Sequence, residues 1–431
     1  MLAGLVVTPA QAESVRSQQW YLDATRAEQM WKTSTGKGVT VAVLDSGVDP
    51  DLPDLRGQVL SGKDYSWHPG DEHTDYDGHG TDMAVLIAGT GAKGSTTGTY
   101  GLAPGAKILP VRVPDFIERS RADGDGNPDD YPTYVSKAIR YAADTDARII
   151  NISLGSEEHS KKLDDAVAYA LSKNKLVFAA VGNTGAGSNR LEFPGATPGV
   201  VGVGAIGKDL KKTKESQHGP QVDLVAPGEE MVHACNGKTS LCESHGTSDA
   251  TALASASAAL IWSKHPDWTN NQVLRVMLNT ASGPVSGKER TDEIGYGAVR
   301  PRIALTDPDN PGPADAYPLP DFKDGAAEVL GGATANPSAS ATEPAVASGG
   351  DDSSAMPWIL AGFGGLVLVG AAGGTLAFRS RKRRREAMAA QPPMPPAQPY
   401  ATDWNPQALQ PGPQQGQQWP YHQDTNHTGR P

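Results

Sequence analysis

The chain has 431 residues, 38% of them hydrophobic, with 49 glycines and 34 prolines; it is too long for one small domain and too sparsely apolar to be packed core throughout. Its formal net charge is −11 although residues 379–431 carry seven Lys or Arg against Glu386, Asp403 and Asp424, so the remainder is more acidic than the whole and presents no basic face to nucleic acid. Two cysteines, Cys235 and Cys242, are too few for a disulfide scaffold and lack the paired spacing of a zinc site.

Residues 1–12 read as part of a signal peptide, since Leu2 to Val7 is a short apolar run and Ala10-Gln11-Ala12 is an Ala-x-Ala cleavage pattern. An extension, 13–38, precedes the first strand. From 39 to 305, β-rich runs at Val39–Leu44, Ile108–Val113, Ile149–Ser153, Leu176–Val181 and Val200–Ala205 alternate with helical ones. The helices are predicted at His79–Ala88, Thr133–Asp144, Leu163–Lys173 and Ser248–Lys264. Such alternation predicts an α/β fold, a parallel sheet with helices on both faces, whose ligands bind at the carboxyl ends of the strands.

Beyond it, 306–356 is rich in Pro, Ala, Gly and Ser without a sustained period and reads as a solvated linker. Residues 357–378 hold no charge over 22 positions, enough for a helix to cross a hydrocarbon core of about 30 Å. Arg379, Arg381, Lys382, Arg383, Arg384 and Arg385 follow at once, so the positive-inside rule puts them in the cytoplasm and everything before 357 outside. The rest of the tail, with nine Gln and ten Pro in 387–431, cannot bury a core and is predicted to be disordered. Export permits a disulfide between Cys235 and Cys242.

Three blocks set a reactive side chain beside glycine at a strand end or helix start. Val-Ala-Val-Leu-Asp-Ser-Gly (41–47) puts Asp45 at the carboxyl end of a buried strand, and Asp-Gly-His-Gly-Thr (77–81) puts His79 in the first turn of a helix. Ser-His-Gly-Thr-Ser-Asp-Ala (244–250) puts Ser248 at the start of a helix of small residues. Together they are the parts of acyl transfer: Ser248 attacks, His79 moves the proton, and Asp45 holds the imidazole. Asn183, at the end of Ala-Ala-Val-Gly-Asn (179–183), and the Ser248 amide supply donors for the oxyanion.

The order Asp, His, Ser and the surrounding blocks resemble the subtilisin-like serine peptidases across 18–305. The shared blocks include Gln-Trp-Tyr-Leu (19–22), Asn-Ile-Ser-Leu-Gly (151–155), Phe-Pro-Gly (193–195) and Ala-Pro-Gly (226–228). The resemblance implies that Ser153, Leu154 and Gly155 pair with substrate as an added strand. The signal, Pro-rich linker, single C-terminal helix and basic stop are most similar to the mycosins, membrane-anchored peptidases of type VII secretion. It implies protein or peptide substrates, a plasma-membrane location with the catalytic domain outside, secretion-system components as partners, and no cofactor.

One residue departs from the family pattern. Where that pattern sets an uncharged Met after the nucleophile, the chain has Asp249, expected beside the leaving group, where it would oppose the oxyanion, favour the His79 imidazolium and select cationic residues after the scissile bond. Asp249 is also the local reason for a second reading, a secretion-complex scaffold with weak or lost catalysis. Carboxylates at Asp123, Asp125 and Asp129 suggest calcium, but Pro128 replaces the turn glycine and Tyr134 stands where a bidentate Glu belongs, so no metal site is assigned.

Overall fold

The structure, a computed structural model, describes residues 14–115, 130–236 and 241–322. Its centre is a seven-stranded sheet of β1 (Thr40–Asp45), β2 (Lys63–Asp64), β3 (Lys107–Arg112), β4 (Ile149–Ile152), β5 (Leu176–Ala180), β6 (Val201–Ile206) and β7 (Leu224–Pro227). They lie in the order β2-β3-β1-β4-β5-β6-β7, and all neighbouring pairs are parallel. The helices are α1 (Val15–Gln18), α2 (Trp20–Thr25), α3 (Ala27–Trp31), α4 (His79–Ala88), α5 (Tyr131–Ala143), α6 (Lys161–Ser172), α7 (Thr247–Lys264), α8 (Asn270–Thr280) and α9 (Pro301–Thr306). A two-stranded antiparallel hairpin, β8 (Met231–His233) with β9 (Cys242–Ser244), stands apart from the main sheet.

Both faces of the sheet are covered, as the alternation implies. Along β1, Val41 and Val43 belong to the core that holds α4, α7 and α8, whereas Ala42 and Leu44 belong to the one beneath α5 and α6. In β5, Leu176 and Phe178 divide in the same way from Val177 and Ala179. Two-sided burial is why these strands read as continuous apolar runs rather than alternating ones. Strand β1 has β3 on one side and β4 on the other, so the chain reverses its direction of winding there and a crevice opens at the carboxyl ends.

Helix α7 packs against α4 and β4 to β7, and every residue from Ala250 to Trp262 is buried. A helix enclosed on all sides has no polar face, and close neighbours leave room for little more than Ala and Ser along most of it. Several short elements were not foreseen, among them β7 and α8. Strand β7 is four residues ending in Pro227, too short to show a period. Helix α8 begins in weak helix formers, yet it carries a capping box legible in sequence: Gln272 N–H donates to Thr269 Oγ1 (3.4 Å) and Thr269 N–H to Gln272 Oε1 (3.1 Å).

The predicted linker start at 306 needs correction. Residues 307–322 remain docked on the domain, with Leu319 and Phe322 buried and the Tyr317 hydroxyl donating to the Gly199 carbonyl at 2.6 Å. Three isolated apolar anchors among Pro, Asp and Ala carry no periodicity, which is why the segment reads as linker. In the extension, α2 and α3 likewise lie on the core through Tyr21, Leu22 and Met30. The signal run, the Asp123–Asp129 loop, the 357–378 span and the basic tail lie outside the described residues, among which no helix is long and apolar enough to cross a membrane. The expected disulfide joins Cys235 to Cys242 across the end of the β8–β9 hairpin.

Because α7 is enclosed, Ala256→Leu is expected to overpack it and to lower stability by about 1–3 kcal/mol. Urea unfolding of the purified chain would read this as a lower midpoint at unchanged slope.

Candidate active site

The carboxyl end of β1 meets the first turn of α4. Asp45, the last residue of the strand, is wholly buried, and its Oδ1 accepts a hydrogen bond from His79 Nδ1 at 2.7 Å. Such an acceptor fixes the tautomer that carries its proton on Nδ1 and leaves Nε2 to receive another. The approach depends on Gly80. A Cβ there would lie 2.1 Å from the Gly47 carbonyl oxygen and 3.0 Å from Asp45 Cβ, so any other residue would force the helix off the strand end. Asp75 fixes the same turn by accepting from Gly78 N–H (2.7 Å), Thr81 N–H (2.8 Å), Thr81 Oγ1 (2.6 Å) and Ser46 Oγ (2.8 Å). Nothing in the sequence reading marked Asp75; an acid just before a glycine-flanked helix start was its available signal.

Ser248 stands in the first turn of α7, where backbone amides have no acceptor inside the helix. Its hydroxyl donates to the Ser153 carbonyl at 2.9 Å, and no hydrogen bond joins it to His79 among the described residues. The Ser153 hydroxyl donates in return to the Ser248 carbonyl (3.1 Å) and accepts from Asn151 Nδ2 (3.1 Å), while Ser255 Oγ holds Asn151 Oδ1 (2.9 Å). Residues Ser153, Leu154 and Gly155 thus leave β4 locked to α7. Asn183 lies exposed at the exit of β5, and its Oδ1 accepts from Thr247 N–H (2.9 Å) and Thr247 Oγ1 (3.1 Å). With the oxygen engaged, the Nδ2 donors remain for another acceptor beside the start of α7. Thr247 was overlooked because its role is to aim another side chain.

The structure corrects the placement of Asp249. Its carboxyl is buried to 1% exposure, behind the nucleophile rather than beside a leaving group, and Oδ1 accepts from the Ser244 hydroxyl at 2.6 Å. Ser244 also lies 2.9 Å from His233 Nε2, and His233 Nδ1 is 3.7 Å from Asp82 Oδ1, one turn along α4 from His79. One position after an N-terminal serine turns the side chain through about 100° to the inward side of a helix, which sequence numbering alone does not convey. Burial raises the Asp249 carboxyl above the ordinary range, with Ser244 and the histidines opposing, and burial pushes Asp82 up to about 8. Burial also works against the His79 imidazolium, but Asp45 outweighs it, helped by Asp249 and Asp77, and the ring stays protonated to higher pH than an ordinary histidine.

Residues 36–299 match the Subtilase family, and the chain belongs to that family, whose members are serine endopeptidases. It is 36% identical over 273 residues to Subtilisin Savinase of Lederbergia lenta, covering 63% of this chain and 91% of that one. It is 36% identical over 252 residues to M-protease of Shouchella clausii (strain KSM-K16), covering 58% of this chain and 60% of the longer relative, less than two thirds of its length. Among solved structures it is similar to the serine protease MycP1, described as an essential component of the type VII (ESX-1) secretion system, with 30% identity, a TM-score of 0.58 and coverage of 70% and 91% of the two chains.

Where Asp249 is ionised it favours the protonated form of His79, so removing it lowers the pH at which the neutral base appears. Asp249→Asn is therefore expected to shift the acidic limb of the kcat/KM profile to lower pH. Because the carboxyl faces away from the cleft, selectivity for the residue after the scissile bond should stay as in the wild type. Profiles on two peptides differing only at that residue, Lys against Leu, check both statements.

Proposed function

We propose that the chain is an extracytoplasmic serine endopeptidase, tethered to the plasma membrane by one helix, that hydrolyses exported proteins through an acyl-enzyme. The observation that carries this reading is the buried Asp45 carboxylate bound to His79 Nδ1 at 2.7 Å, at the start of a helix that packs against α7, whose first turn holds Ser248. For reaction the Ser248 hydroxyl leaves the Ser153 carbonyl for His79 Nε2, which removes its proton as the oxygen attacks the carbonyl. Asp45 stabilises the imidazolium that forms, and His79 returns the proton to the leaving amine. Asn183 Nδ2 and the Ser248 amide receive the oxyanion, and Ser153–Gly155 take the substrate backbone as an added strand.

The tether is supported by the uncharged run at 357–378 and its basic flank, and the outside location by the Cys235–Cys242 disulfide. Likeness to MycP1 supports work beside a type VII secretion system, with its components as partners. The scaffold reading has lost its local motive, since Asp249 points away from the cleft.

A fluorophosphonate probe is expected to label wild-type chain at Ser248 and to leave Ser248→Ala unlabelled; an unlabelled wild type would sink the proposal. Ser248→Ala should lose several orders of magnitude in kcat while keeping its thermal midpoint, because one oxygen at a helix start is removed. Asn183→Ala should lower kcat by about 10²–10³ with KM little changed, the loss expected for one oxyanion donor, as steady-state kinetics would read.

A further inference from the structure

Behind the nucleophile, Asp249, Ser244 and His233 form a hydrogen-bonded chain whose two ionisable ends are both buried. They come from α7, β9 and β8. The hairpin register sets Met231 opposite Ser244 and His233 opposite Cys242, so His233 and Ser244 are diagonal neighbours, each two residues from a cysteine of the disulfide. The Ser244 hydroxyl has one proton and two neighbours able to take it, Asp249 Oδ1 at 2.6 Å and His233 Nε2 at 2.9 Å. When that proton goes to the carboxylate, Nε2 must bring one of its own to the Ser244 oxygen. Nδ1, 3.0 Å from the Ala234 carbonyl, faces a group that can only accept. Both ring nitrogens then donate, and a ring that donates twice is an imidazolium. If the proton passes to Asp249, both bonds to Ser244 reverse together and the ring is neutral. In either arrangement the pair holds one proton and no net charge. A charged Asp249 beside a neutral ring would leave two buried acceptors to one hydroxyl proton, and a buried acceptor left unmet is costly.

We propose that His233, acting through Ser244, is a positioning residue of the reaction: it carries the counter-charge of Asp249 and so limits how far that carboxylate favours the His79 imidazolium. This rests on the endopeptidase reading above. The other titratable groups around the pair do not fill that place. On α4, His79 is committed to Asp45, and Asp82, whose Oδ1 lies 3.7 Å from His233 Nδ1, brings a further carboxyl rather than a cation. Asp45 and Asp75, at the junction of β1 and α4, are acidic as well. His245, just past β9, is exposed and held by Glu215 at 2.8 Å. Tyr21 on α2 is kept uncharged by burial, its hydroxyl donating to the Val232 carbonyl at 2.9 Å. Burial lowers the His233 ring and raises the Asp249 carboxyl, which moves the shared proton toward Asp249 without releasing it. A bare carboxylate behind His79 therefore arises only when the imidazole is taken away.

The test measures kcat/KM against pH on the purified full chain for wild type, His233→Gln, Asp249→Asn and the double variant. Glutamine keeps a donor for Ser244 but cannot carry the extra proton, so a role in packing survives the change and a role in charge does not. His233→Gln is expected to move the acidic limb up by about one pH unit, the effect of one uncompensated charge in a partly shielded site. Adding Asp249→Asn to it should bring the limb down by more than the same substitution does in wild type. An acidic limb that stays in place in His233→Gln overturns the proposal, as does an equal shift from Asp249→Asn in the two backgrounds. Nuclear magnetic resonance of the His233 ring in Ser248→Ala reads the pair without turnover and without altering His233. There, Asp249→Asn is expected to lower the pH at which the ring protonates, and an unchanged midpoint overturns the proposal independently. Failed labelling of Ser248 overturns the endopeptidase reading alone, since the shared proton would persist.

Discussion

The contact between the end of β1 and the start of α4 is the constraint on which the site depends. It brings a wholly buried carboxylate to 2.7 Å from an imidazole, and this is possible only because Gly80 lets a helix touch a strand end with no Cβ between them. Burying Asp45 unpaired would be costly, and His79 supplies the partner that makes the burial tolerable. The same contact selects the His79 tautomer, so fold stability and base strength come from one interaction. Asp75 belongs to this contact too, since it ties the Ser46 and Thr81 sides of the junction together.

Helix α7 brings the remaining parts to that junction. Its enclosure sets Ser248 at a fixed height above the sheet, and its first turn does three things within three residues. Thr247 orients Asn183, Ser248 exchanges hydrogen bonds with Ser153, and Asp249 turns inward to Ser244. A small shift of the helix would disturb Ser248, Asn183 and Ser153 at once. The disulfide-closed hairpin adds a brace on the buried side, where His233 and Ser244 fill the space between Asp249 on α7 and Asp82 on α4.

The carboxyl groups near the site are sorted by surroundings rather than by residue type. Asp45 is held by an imidazole, Asp75 by backbone amides and hydroxyls, Asp249 by a serine, and Glu192 by a glutamine at the edge of the cleft. Each arrangement assigns a different task to the same functional group. Asp45 holds the imidazole, Asp75 shapes a turn, Asp249 adjusts the histidine from behind, and Glu192 lies between Gly155 and Gly182.

The α/β class, the parallel sheet with helices on both faces, the meeting of Asp45 with His79 and the disulfide pairing were all legible in the residues. Apolar runs of strand length alternating with amphipathic ones set the layers, and Asp45, His79 and Ser248 each sat beside glycines at places where elements end. Strand β7 and the docking of 307–322 were not legible, since a four-residue strand and three scattered anchors have no period. Asp249 shows the limit most plainly. Its identity and its position after Ser248 are facts of sequence, but whether it faces a leaving group or the half-buried Ser244 depends on the rotation of α7 against β9. Glu192 shows the converse: nine residues from Asn183 and far in sequence from Gly155, it becomes part of one slot only when β4 and β5 exit side by side. Local pattern determines which residues can do chemistry, because periodicity and glycine placement act over a few neighbours. Which of them meet, and which way each side chain faces, is decided by packing between elements separated by tens of residues.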